Sequence, residues 1–250
     1  MAGTTISGSY TTSVTLSNPA TQNPATVSST GHINATSGSV LYGTNIAAWS
    51  IYNFGTLIGP ARGIFLTAGG IISNAATGLI SGGYRGIDIT GAAGTVTNAG
   101  SIAGGMQQGI RLTRGGSMVN ASGGNIAGGG TYAAIYINNG GSIANAGSIF
   151  NIADNGNLSV TNLSGGIISK QIFVRSGTLN LQNAGVISRQ IRLVQGGTID
   201  NLAGGTLSAI YANNGATTLV NYGSIVDAYL LAGGSITNRG WRGNWNLQEV

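Results

Sequence analysis

Acid–base catalysis needs carboxylates or imidazoles that converge, and this sequence offers only Asp88, Asp154, Asp200, Asp227, Glu249 and His32. A polysaccharide hydrolase or lyase would set two carboxylates across the scissile bond. In the repeat described below, Asp88 falls in a third strand, Asp200 in a first strand and Asp227 beyond a second, so these acids are not expected to meet. A Ser–His–Asp relay would have to use His32, whose slot before Ile33 reads as an outward, solvated position. No cysteine is present, which removes thiol nucleophiles, disulfides and thiolate metal sites. Asp154-Asn155-Gly156-Asn157 has the spacing of a weak calcium loop but lacks the later Glu, and a polar turn is expected. Lys170 lies outside a phosphate-loop context. The expectation is a protein that is not an enzyme and holds no cofactor and no metal.

Residues suited to contact are better represented. Aligned on an inward Ile, one recurring strand reads GIFLT, GIDIT, GIRLT, AIYIN, QIFVR, QIRLV, AIYAN and AYLLA. Its outward residues are Phe65, Asp88, Arg111, Tyr136, Phe173, Arg192, Tyr211 and Tyr229, and the short segment between Tyr136 and Phe173 shows no clear counterpart. Stacked one strand spacing apart, these side chains predict an Asp88–Arg111 pair and Arg111 or Arg192 over a Tyr ring. Such a stripe serves either as a stabilising ladder or as a face that packs against sugar rings or another copy of the chain. An ice-binding face would need threonine at the same outward slots, and the slots are mixed.

What must position this stripe is a repeat of three phrases: an alternating strand ending in Asn, a small-residue turn with a second strand, and a third strand ending in Gly-Gly. Thr95 to Gly116 shows all three as TVTN, AGSIAGG and GIRLTRGG. The terminal Asn recurs at Asn53, Asn74, Asn98, Asn120, Asn145, Asn162, Asn183, Asn201, Asn221 and Asn238, with gaps of 17 to 25 residues. Earlier, TVSSTGHI puts Ser29 in the Asn slot. Alternation turns Val96, Ile102, Ile110 and Leu112 inward and Thr95, Ser101, Arg111 and Thr113 outward. The predicted fold is all-β, a parallel three-sided β-helix (β-solenoid) of roughly ten to eleven coils stacked at ~4.8 Å. Recurrent Asn reads as a ladder fixing one corner, and Gly serves the others. Residues 1–24 are expected as an irregular coil or cap, 25–240 as repeats, and 241–250 as a cap or assembly segment carrying Trp241, Arg242 and Trp245.

Forty-five glycines, 42% hydrophobic residues and 6% charged ones fit a folded chain better than a disordered linker, and collagen is excluded because the glycines follow no strict triplet. The +5 charge arises from ten basic residues scattered along the chain, so no nucleic-acid partner is expected. No apolar run is long enough for a transmembrane helix. Residues 1 to 30 show no secretory signal, which leaves a removed signal, another export route or an intracellular protein as alternatives.

GTVTNAGSIAGG, GSIANAGSIF and GGSITNRG resemble the passenger regions of bacterial autotransporters and related surface-exposed β-helix proteins, over approximately residues 25 to 240. The resemblance implies an exported bacterial protein, right-handed and often adhesive, secreted or held at the cell surface. No translocator barrel is visible after Asn238, so the chain is read as either a fragment of a longer passenger or an assembling subunit. The expected role is extracellular and structural or adhesive, with a homo-oligomer or filament formed through the ends or the stripe. The alternative is a carbohydrate-binding or polysaccharide-processing β-helix, with cell-surface glycans as partners.

Overall fold

Alternating apolar and small polar residues cannot bury one side of a helix, but they bury one side of a strand, and short alternating runs separated by Gly or Asn produce many short strands. The computed structural model describes residues 3–247, with side chains through Trp241. It is a parallel β-solenoid of about 11 turns. One coil consists of Gly94–Asn98, Ser101–Gly104 and Ile110–Leu112, which we term the first, second and third faces. Gly94–Asn98 lies between Gly70–Asn74 and Gly116–Asn120, parallel and in register with both.

The stacking puts like residues in columns. Ile72, Val96 and Met118 line the interior of the first face; Ile80, Ile102 and Ile126 that of the second; and Ile87, Ile110 and Ile135 that of the third. All are buried. Each such side chain contributes roughly 1.5–3 kcal/mol relative to exposure. At the third-to-first corner Gly116 has φ 146°, and a Cβ there would stand 2.0 Å from the Gly94 carbonyl oxygen. Only glycine fits it.

The ten asparagines form one continuous ladder. Each Nδ2 from Asn53 to Asn221 donates to the Oδ1 of the next Asn, at 2.6–2.9 Å. The buried amides satisfy one another along the rod, as a polar column inside a protein must. From Asn53 to Asn221 the corner after each Asn alternates in length. It is Asn-x-Gly after Asn53, Asn98, Asn145, Asn183 and Asn221, and Asn-x-x-x-Gly after Asn74, Asn120, Asn162 and Asn201. Over that stretch the structural repeat along this edge is two coils, a doubling that the average period conceals, and Asn238-Arg239-Gly240 breaks it with a second short corner in succession.

Two expectations need correction. The Asn slot of the second coil holds Val27, not Ser29: Val27 pairs with Asn53 and is buried, and Ser29 lies on the way to Gly31. Residues 1–24 are not mainly irregular. Thr4–Tyr10 and Val14–Leu16 already build a coil that pairs with Ala25–Asn34 and Leu41–Gly43, and the irregular part is Ser17–Pro24 with its helical turn Pro19–Gln22. At the other end, Trp241–Leu247 is a further strand. It pairs in parallel with Ser224–Leu230 and continues the second and third faces.

Insertions at the second-to-third corner position the candidate site. Seven residues, Gly128 to Ala134, separate Ala127 from Ile135, whereas two separate Ile149 from Ile152. From Val186 onward the two strands are continuous, as Val186–Leu193, Thr206–Ala212 and Ser224–Leu230. A bulky corner thus gives way to a flush one within a few coils.

Candidate functional site

Parallel register places Phe65, Asp88, Arg111, Tyr136, Phe173, Arg192, Tyr211 and Tyr229 in one outward column on the third face. Tyr42 extends the column above Phe65, with ring centroids 5.5 Å apart, although sequence reasoning missed it. The signal was available: Leu41-Tyr42-Gly43 carries the inward–outward–inward pattern, with Gly in place of the second aliphatic residue. Tyr211 and Tyr229 stack at 4.8 Å. The cations do not sit over tyrosines of the column. Arg192 lies over Phe173 at 5.0 Å, joined by Arg175 at 5.2 Å, and Arg111 turns to Asp88.

Asp88 is the centre of a built cluster. Although its slot faces outward, it is fully buried, because three arginines close over it. Arg111 is bidentate, donating from Nε to Oδ1 at 2.8 Å and from Nη2 to Oδ2 at 2.9 Å. Arg62 donates from Nε to Oδ2 at 2.7 Å, and Arg85 reaches the same oxygen at 3.5 Å. Arg85 is itself buried and also donates to Gln107 and to Gln108. Burial and then the neighbouring Arg111 push its pKa below the usual guanidinium value, with Asp88 opposing. One carboxylate among three guanidiniums leaves the cluster net positive.

Three coils further on, the column is interrupted. The strand Ile152–Asn155 pairs Ile152 with Ile135 and Ala153 with Tyr136, and Phe173 follows Ala153 on the other side. The segment without a clear counterpart therefore has one, and that counterpart is alanine. A small side chain between two rings makes a notch. The overhanging corner Gly128–Ala134 is tied down there by Asn151, whose Oδ1 accepts from the Ala134 N–H at 2.6 Å. On one side of this corner a recess of about 400 Å³ runs over Ala153 between Tyr136 and Phe173. On the other a groove of about 650 Å³ descends the rod past Phe150, Lys170, Gln171, Arg189, Gln190 and Tyr211. Lys170 stands over the Phe150 ring at 4.4 Å, and Gln190 donates to Gln171 at 3.3 Å. The lining is aromatic, amide and cationic.

Asp154 departs furthest from expectation. It is not part of a solvated polar turn. Its slot is the inward one occupied by Ile137 before it and Val174 after it, and it is fully buried with neither carboxylate oxygen hydrogen-bonded. Burial pushes its carboxyl up to about 6, while the backbone N–H groups of Gly156, Asn155 and Gly140 pull the other way. It faces the interior and cannot reach a ligand in the groove.

The remaining ionisable groups stay apart. Asp200 is outward on the first face beside Gln182 and Val220, Asp227 follows Ala209 at the second-to-third corner, and His32 is exposed on the second face. No three His, Cys, Asp or Glu side chains approach one another among the described residues. Trp241 is 62% exposed, while the side chains of Arg242 and Trp245, together with Glu249, lie outside the described residues. No described helix is long and apolar enough to cross a membrane. Comparison with protein-family models, curated proteins and solved structures returned no match.

Proposed function

We propose that this chain is a non-enzymatic, adhesive β-solenoid that recognises surface carbohydrate with its third face, in the manner of an exported, autotransporter-like bacterial passenger. The observation that carries the reading is the groove beside the Gly128–Ala134 corner. It combines ring faces at Phe150 and Tyr211 with the amides of Gln171 and Gln190 and lies on a rigid stack of coils. Aromatic faces with neighbouring amides suit the apolar and hydroxyl faces of a sugar ring. The non-enzymatic part is supported by the acids: Asp88 is enclosed by arginines, Asp154 faces the core, and Asp200 and Asp227 stand on different faces. Tyr211→Ala with Tyr229→Ala should abolish binding on a glycan array while the thermal midpoint moves little. Unchanged binding would remove the reading.

Self-association into filaments or surface layers is a second reading, favoured by the outward stripe. Tyr211 and Tyr229 stack as neighbouring outward rings of the third face, and a regular row of rings can pack against the same row on another copy. Negative-stain electron microscopy of the purified chain at high concentration tests this reading; strictly monomeric particles would exclude it.

A further inference from the structure

We infer that the third face takes an acidic polysaccharide, a linear chain carrying carboxylate or sulfate groups, which it spans from the Asp88 cluster to the groove below Ala153. This rests on the carbohydrate reading above and adds the charge of the ligand. The basic residues look dispersed in sequence, but a period near twenty gathers them in space. Of the ten Lys and Arg residues, Arg62, Arg85 and Arg111 converge on Asp88. Lys170, Arg175, Arg189 and Arg192 flank Phe150, Phe173 and the groove. Seven cations thus share one face and its corner. Among the described residues, the carboxylates on its solvent side are Asp88, already shared by three arginines, and the half-buried Asp227.

Spacing and chemistry both bear on the ligand. Arg111 and Arg192 occupy the same column four coils apart, so the two cationic groups stand about 19 Å from each other at ~4.8 Å per coil. Between them the column is neutral, with Tyr136, Ala153 and Phe173, and the notch at Ala153 narrows the path beneath an overhanging corner. A slim, extended polymer with acidic groups at intervals matches cation, ring, recess, ring, cation. A duplex nucleic acid is too wide to enter the recess, whereas guanidinium forks take carboxylate and sulfate oxygens two at a time. The side chains of Arg62 and Arg111 are each about a quarter exposed while bound to Asp88.

The test is direct binding of the intact chain to four immobilised probes: polygalacturonate, chondroitin sulfate, dextran and duplex DNA. At least one acidic polysaccharide should bind ten-fold or more tighter than dextran at low salt, with affinity falling steeply as salt rises. Lys170→Gln/Arg189→Gln/Arg192→Gln alters three exposed side chains without touching the core, and should weaken that binding ten-fold or more with an unchanged melting curve. The double variant Arg114→Gln/Arg239→Gln, at exposed positions outside the third strands, should change it less than two-fold. Dextran binding as tightly as the acidic polymers would overturn the charge assignment and leave the carbohydrate reading standing. Failure of every polysaccharide would remove both. Duplex DNA binding as tightly with the same salt dependence, or an equal loss in the double variant, would reduce the face to a general polycation and overturn the inference.

Discussion

Asp88 and Asp154 are both fully buried carboxylates of the third face, three coils apart, and they differ by one step along the strand. Asp88 points outward and draws Arg62, Arg85 and Arg111 over itself. Asp154 points inward and meets Ile137 and Val174. A period of two gives neighbouring residues opposite environments, so one position separates a carboxylate with three ionic partners from one with none. The outward acid is buried by side chains the repeat can supply from adjacent coils. The inward acid is buried by the fold itself, and the aliphatic columns hold nothing that could neutralise it. In a narrow solenoid burial alone says little about the state of an acid; parity decides.

Removing the outward acid should have the largest effect. Asp88→Ala leaves the buried Arg85 without its counter-ion and Arg62 and Arg111 facing it, and breaking a buried pair from one side costs about 3–5 kcal/mol. Chemical denaturation should show that loss, and a change under ~1 kcal/mol would mean that the arginines turn to solvent at no penalty. Replacing the inward acid should act in the opposite direction. The Asp154 pKa in the fold, about 6, lies above the ordinary value of 3.8 that the unfolded chain would show. The folded state therefore holds the proton more tightly. That contribution is fully present below pH 4 and is lost as pH rises through 6, a loss of about 3 kcal/mol by pH 7. Asp154→Val continues the Ile137–Val174 column. It should raise stability at pH 7 by about that amount and flatten the pH dependence between 4 and 7. A wild-type rod equally stable at pH 4.5 and 7.5 would contradict the assignment.

Where the sequence was legible, one residue type recurred at one slot. Asn at the corner and Ile, Val or Leu two residues apart define the coils because each makes the same contact in every turn. Asp88–Arg111 was legible for the same reason, being a pair in one column. Arg62 and Arg85 were not, since they precede the aligned strand core and lean into the column from its edge. The parity of Asp154 was obscured by Asp-Asn-Gly-Asn, which reads as a turn. Counting two residues from Ile152, as from Ile135 and Ile172, would have put Asp154 inside and Ala153 in the stripe. Slot counting, not local composition, is the stronger rule in a solenoid. The groove had no sequence signal of its own, because it arises from the difference between a seven-residue corner at 128–134 and the flush corners that follow.

The smallest effect on stability should come from the position that separates the two acids most sharply, Ala153, the outward neighbour of Asp154 and the gap in the column that Asp88 occupies. Ala153→Phe would extend a ring into the recess between Tyr136 and Phe173 and make the stripe continuous. A ring stacked on its column neighbours gains roughly 0.5–1.5 kcal/mol, and strain against the Gly128–Ala134 corner opposes that gain, so the net change in stability should be within about 1 kcal/mol. Binding should behave differently. If the notch is the passage for an extended ligand, a filled notch removes it, and Ala153→Phe should lose affinity as completely as removal of the tyrosines does while the melting curve stays close to wild type. Retained binding with an intact fold would show that the stripe works as a ladder alone. Lost binding with an intact fold would separate recognition from stability at a single side chain.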